Sequence, residues 1–156
     1  MNLFRQRIAV LIVSMLALVC GNAIAQDLSV ENYCKIALES MQLEVEAMRA
    51  LVTALKNFNG DVNSLAEYEA GVRNPYLEKQ KDILVKYNTT EMEYAGFRGR
   101  FPSEVDEYLA QNAMLKQEIN TAGQTAGQLL EEYEAERDRL TGVTTVNSEP
   151  ANLPPP

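Results

Sequence analysis

The chain has no histidine and no tryptophan among its 156 residues. Without imidazole there is no Ser-His or Cys-His activation of a nucleophile, no Glu-x-x-His metal helix, no histidine-ligated haem and almost no route to a zinc centre. Cysteine is nearly absent as well, with 2 residues, Cys20 and Cys34. Positive charge is the scarcer sign: 14 basic against 22 acidic side chains give a net charge of −8. A field of that sign opposes nucleic acid and anionic lipid, and it favours cationic partners or simple solubility. No cofactor and no metal set is expected from such a composition.

Among the features present, the N-terminus comes first. Arg5 and Arg7 precede an apolar run, Ile8 to Val19, succeeded by Cys20-Gly21-Asn22-Ala23-Ile24-Ala25. This is the layout of a secretory signal peptide, with small residues at −3 and −1 for cleavage after Ala25. The run of 12 residues falls short of the about 20 that a membrane-spanning helix needs, so no stable span is expected after cleavage. Acylation of Cys20 as a lipoprotein is the lesser reading, because Val19 stands where such sites carry a small residue. Removing residues 1–25 leaves 131 residues, 12 basic and 22 acidic side chains, and a net charge of −10. Cys34 is then the sole cysteine, which excludes an internal disulfide in an oxidising compartment. A buried thiol is the leading expectation for it, and an intermolecular disulfide the alternative. The expected location is periplasmic or secreted.

The rest of the chain is patterned for an all-α fold. From 28 to 58, apolar residues recur at Val30, Cys34, Ala37, Met41, Val45, Met48, Val52 and Leu55, spaced by three and four; the opposite stripe holds Glu39, Gln42, Glu46, Arg49, Thr53 and Lys56. That is an amphipathic helix with a coiled-coil-like seam. Residues 57–61 should end it, with Asn59 or Gly60 in the left-handed conformation and Asp61 or Asn63 capping the next helix. A second helical stretch runs from Val62 to Tyr87 and should break or kink near Asn74-Pro75. Thr90-x-x-Glu93 reads as a capping box opening a short segment. Residues 95–102, rich in Gly and closed by Pro102, read as a loop. Ser103 should cap a last long helix reaching about Leu140. In it the repeat Thr121-Ala122-Gly123-Gln124, Thr125-Ala126-Gly127-Gln128 points to close approach of another helix across Ala122 and Ala126. The expected architecture is an antiparallel bundle of about three main helices over residues 26–140, then a disordered tail, 141–156, low in charge and ending Leu153-Pro154-Pro155-Pro156.

Candidate sites are few. Phe97, Arg98, Arg100 and Phe101 concentrate two guanidinium groups and two aromatic rings in an acidic chain, a set suited to a partner or an anion. Asn57, Asn59, Asp61 and Asn63 alternate like calcium ligands, but an EF-hand loop starting at Asn59 would put Ser64 and Ala70 where Gly and Glu are required. The cluster Glu131, Glu132, Glu134, Glu136 and Asp138 reads as a solvated helix face. Asn88-Thr89-Thr90 matches a glycosylation sequon, relevant only in a eukaryotic source. Together these point to an exported, non-catalytic helical interaction protein: an envelope adaptor, a chaperone-like binder or a self-associating structural protein. Its partner would be a protein or a second copy. The alternative is a small-ligand or cation sensor using Arg98 and Arg100 or the acidic faces.

Overall fold

A computed structural model describes residues 28–142. The leader, and the tail beyond residue 142, lie outside the described residues. Within them the fold is all-α, with five helices: α1 (Val30–Lys56), α2 (Leu65–Lys86), α3 (Glu91–Arg100), α4 (Pro102–Gln111) and α5 (Ala113–Thr141), plus a 3-10 turn at Val62–Ser64. Three are long, of 27, 22 and 29 residues, and α3 and α4 have 10 each.

Local chemistry sets most of these boundaries. Ser29 opens α1 by accepting from the Asn32 backbone N–H at 3.1 Å, and Asn57 ends it with its side-chain amide on the Thr53 carbonyl at 2.8 Å. The exit from α1 therefore uses neither Asn59 nor Gly60 in the left-handed region; among the described residues only Asn88 and Gly142 have positive φ. Gly60 matters for room instead, since a Cβ there would lie 2.9 Å from the Phe58 ring. Asp61 caps the 3-10 turn, accepting from the Asn63 backbone N–H at 2.9 Å, which accounts for the polar alternation at 57–63 without a cation. At the end of α2, Asn88 takes φ 49°. Its N–H reaches the Val85 carbonyl at 2.9 Å while that of Thr89 reaches Leu84 at 3.1 Å, a Schellman closure.

Three further expectations about helix boundaries need correction. Pro75 lies inside an uninterrupted α2, so it starts no new helix. The missing N–H and the ring cost about 3 kcal/mol in a helix interior, and packing of α2 along α1 offsets that cost. Residues 95–102 are not a loop: the capping box between Thr90 and Glu93 launches α3, which runs through Gly96 and Gly99 to Arg100. Burial of Phe97 outweighs the weak helix propensity of the two glycines. Nor is there one last helix capped by Ser103. Pro102 occupies the first turn of α4 and forces Phe101 out of the helical region, to φ −130° and ψ 52°. Asn112, at φ −115° and ψ 62°, separates α4 from α5, its side-chain amide sharing the Tyr108 carbonyl with its own backbone N–H.

The long helices are ordered by contacts at both ends. Arg73 lies 4.0 Å from Glu44, Gln80 donates to Ser40 at 2.9 Å, and Lys86 meets Glu39 at 2.6 Å, so α2 runs antiparallel to α1. Leu115 packs against the cluster that Cys34 forms with Phe97 and Val105 near the start of α1 and Glu132 pairs with Lys56, so α5 runs parallel to α1. Between α2 and α5, Tyr133 Oη donates to Glu69 at 2.8 Å and Arg137 approaches the same carboxylate at 3.3 Å. Helices α3 and α4 close the end where α1 begins.

Burial is concentrated on α1: Cys34, Ile36, Ala47, Met48, Leu51, Val52 and Leu55 are buried, whereas α2 buries only Leu65 and α5 buries no residue fully. A wider arc than the expected seam is covered, because α1 is flanked by two helices. An added Cβ at Gly123 or Gly127 would meet nothing within 4 Å, so tight packing does not account for those glycines. Pro75→Ala should raise the unfolding free energy by about 1–3 kcal/mol in urea at unchanged m-value, by restoring a helical hydrogen bond to Gly71. An unchanged or lower midpoint would mean that Pro75 acts as a helix start.

Candidate functional site

Two of the residues singled out in the sequence, Cys34 and Phe97, meet at the closed end of the molecule, where α3 and α4 pack on the start of α1. Cys34, Phe97 and Val105 are each at most 3% exposed and form a cluster bordered by Leu28, Val30, Tyr33, Tyr108, Leu109 and Leu115. A row of aromatic rings runs across it: Tyr94 on Tyr33 at 5.0 Å, Tyr33 stacked on Phe97 at 4.9 Å and 21°, Phe97 on Phe101 at 4.9 Å. Ring pairs at these separations contribute about 0.5–1.5 kcal/mol beyond simple burial. Burial pushes the Tyr94 and Tyr33 hydroxyls up from their ordinary range, with the Arg98 charge opposing the shift at Tyr33.

The arginine and phenylalanine set does not converge on one ligand position. Phe97 is a core residue. Arg98 pairs with Asp106 across the α3–α4 junction at 3.1 Å, an exposed pair. Two residues further on, about 200° around the helix, Arg100 rests over the half-exposed Phe101 ring at 5.7 Å from its centroid. The two guanidinium groups therefore face different sides of α3 and form no shared fork for an anion. Cys34 is held within this cluster; its thiol is buried and its pKa raised by that burial. In the folded chain a disulfide to a second copy would require the cluster to open.

At the start of α3 two neighbouring carboxylates respond oppositely. Glu93 is held below its ordinary range by the Thr90 backbone N–H and the Thr90 and Thr89 hydroxyls. Glu91 is pushed up by burial, and its Oε1 is buried with no hydrogen-bond partner. The acidic stretch of α5 is dispersed into pairs: Glu132 with Lys56, and Glu136 with Arg139 at 2.7 Å. Tyr133 is pushed up to about 12 by burial and by its hydrogen bond to Glu69. Among the described residues no group of three or more Cys, Asp or Glu is placed to hold a metal ion, and none of the helices is long and apolar enough to cross a membrane.

Two open grooves along the exposed stripe of α1 lie outside the residues that the sequence singles out as a site. One, about 570 Å³, lies between α1 and α2 and is lined by Arg49, Ala50, Ala54, Tyr68, Val72 and Tyr76. The other, about 690 Å³, lies between α1 and α5 and is lined by Gln42, Val45, Gln117, Thr121, Ala122 and Thr125. Glu46 and Arg49 stand on the ridge between them and line both. The signal in the sequence is Tyr68, Val72 and Tyr76 at four-residue spacing, one helix face that could as well be core. Comparison with protein families, with curated proteins and with solved structures returned no match.

Phe97→Ala should lower stability by about 3–5 kcal/mol. It should also make Cys34 reactive toward a thiol reagent under conditions where the wild-type thiol reacts only on unfolding. Fast modification of the wild-type chain at full helix content would contradict the closed cluster.

Proposed function

We propose that this chain is an exported, non-catalytic helical interaction protein, acting as an envelope adaptor, a chaperone-like binder or a self-associating structural element after cleavage near Ala25. On this reading its three long helices form a coiled-coil-like bundle that presents helix grooves to a protein partner or a second copy. The observation that carries it is the uneven burial of the long helices. α5, of 29 residues, has no fully buried side chain, and its apolar residues Leu115, Ile119, Ala122, Ala126, Leu130 and Tyr133 are all half-buried. Such a face gains more by further cover than a closed core does, because apolar area removed from water is worth about 25 cal/mol per Å².

Exposed Met92 and Met114, at 85% and 76%, add adaptable apolar contacts on the surface. The sensor alternative draws less support, since Arg98 is already engaged by Asp106 and Arg100 points elsewhere. The grooves, rather than the arginines, are the favoured binding surface.

A bulky substitution at an exposed groove residue separates binding from folding. Thr121→Trp should leave stability within about 0.5 kcal/mol of wild type. It should abolish either a concentration-dependent increase in sedimentation coefficient or stoichiometric recovery of one protein from the extracytoplasmic extract. A wild-type chain that sediments as a monomer at all concentrations and is recovered alone, with a bound metabolite or metal ion, would favour the sensor instead.

A further inference from the structure

Asn59 and Gly60 form the one Asn-Gly pair in the chain. They lie between the end of α1 and the 3-10 turn before α2, and both are exposed. Among the described residues neither the Asn59 side chain nor the Gly60 backbone N–H has a hydrogen-bond partner. An asparagine side chain is open to attack by the backbone nitrogen of the next residue. That attack needs a nitrogen that is not already donating, an uncrowded approach, and a backbone that can bring the two groups together. Gly60 supplies all three, having no Cβ and the widest choice of φ and ψ.

The other asparagines among the described residues each lack one of these conditions. Asn74 precedes Pro75, whose nitrogen carries no proton. The nitrogen after Asn32 donates to the Ser29 carbonyl at 2.8 Å, that after Asn57 to Leu55 at 3.2 Å, that after Asn63 to Asp61 at 2.9 Å, and that after Asn88 to Leu84 at 3.1 Å. Asn120 lies inside α5, where the helical ladder holds the next N–H. Asn112 has its own amide on the Tyr108 carbonyl at 2.8 Å. Packing keeps residue 60 without a side chain. A Cβ there would lie 2.9 Å from the Phe58 ring, inside the about 3.5–4.0 Å at which carbon atoms rest, and that ring is itself set against Tyr68 at 5.0 Å. The glycine that leaves Asn59 open to attack is therefore the one this contact requires.

We infer that Asn59 is a site of spontaneous covalent modification in the folded chain, converting through a cyclic imide with Gly60 to aspartate and isoaspartate. The Gly60 nitrogen gives up its proton to solvent and bonds to Asn59 Cγ, and the side-chain nitrogen takes a proton from water and leaves as ammonia. Water then opens the imide. Breaking the new bond from nitrogen to Cγ yields aspartate; breaking the bond from nitrogen to the original main-chain carbonyl yields isoaspartate, whose main chain runs through the former side chain. Either product adds a negative charge near Asp61, and isoaspartate inserts a methylene into the turn that returns α2 along α1. Phe58 and Tyr68 meet beside this turn, and Tyr68 lines the α1–α2 groove, so the change is carried to that groove's wall. The inference is independent of the partner proposed above.

The test incubates the folded full chain at neutral and at mildly alkaline pH beside an Asn59→Gln variant. Peptides are mapped by mass spectrometry, with an isoaspartate-specific methyltransferase as a second readout. Residue 59 should convert before any other asparagine of residues 28–142, to a mixture of both acids, and faster at the higher pH because the attacking species is the deprotonated nitrogen. The variant should show no methyl acceptor at this position, since glutamine would have to close a larger ring. In the converted chain the Tyr68 ring signals should shift by NMR at unchanged helix content. Earlier conversion of another asparagine in that range, aspartate without isoaspartate, or conversion only after unfolding in urea would each overturn the site, and unshifted Tyr68 signals would overturn its reach to the groove.

Discussion

Cover of α1 by α2 on one side and α5 on the other is the constraint on which the remaining structure depends. Ile36, Ala47, Met48, Leu51, Val52 and Leu55 are at most 4% exposed, and among the described residues outside α1 the only apolar side chains buried to that degree are Leu65, Phe97 and Val105. Truncating one such leucine costs about 2–5 kcal/mol, a large part of the about 5–15 kcal/mol that holds a domain together. The polar pairs between helices act on a smaller scale. Lys56 with Glu132, Lys86 with Glu39 and Arg73 with Glu44 are mostly exposed, where such pairs contribute about 0–1 kcal/mol. They fix the sliding and direction of α2 and α5 more than they hold them on. Because the flanking helices give up little of their own surface, the molecule keeps grooves beside its central helix instead of closing over it.

Much of α1 is legible in the sequence. Its three- and four-residue apolar spacing, the serine before it and the asparagine after it all act locally, and the helix ends within two residues of the expected limits. The full arc is not legible, since Ile36, Ala47 and Leu51 are buried by a second neighbour that periodicity cannot announce. The capping box at Thr90 and Glu93 can be read for the same local reason as the ends of α1. The segment after it misleads: Gly96, Gly99 and Pro102 are turn signals by propensity, yet the burial of Phe97 under Tyr33 overrides the glycines and the proline becomes a helix start. Pro75 misleads in the opposite sense, as a boundary where packing on α1 carries the helix through. Asn112 gives no sequence signal strong enough to divide a long helical run.

For the candidate site, the residues most conspicuous in sequence are largely structural. Phe97 and Cys34 belong to the aromatic cluster that closes one end, and Arg98 ties α3 to α4 through Asp106. The grooves depend on residues brought together from α1, α2 and α5, with Arg49 and Tyr76 far apart in the chain, so no local motif marks them.

Native-state hydrogen exchange under increasing urea tests the central role of α1 most directly, because it reads how each helix opens. Amides of Ala47 to Leu55 should exchange only through global unfolding, with the full denaturant dependence. Those of α5 between Ile119 and Leu130 should exchange through a smaller opening at lower free energy. Equal free energies and equal urea dependence for α1 and α5 would show that α5 is as firmly cored as α1, and would contradict a single covered helix with open flanks.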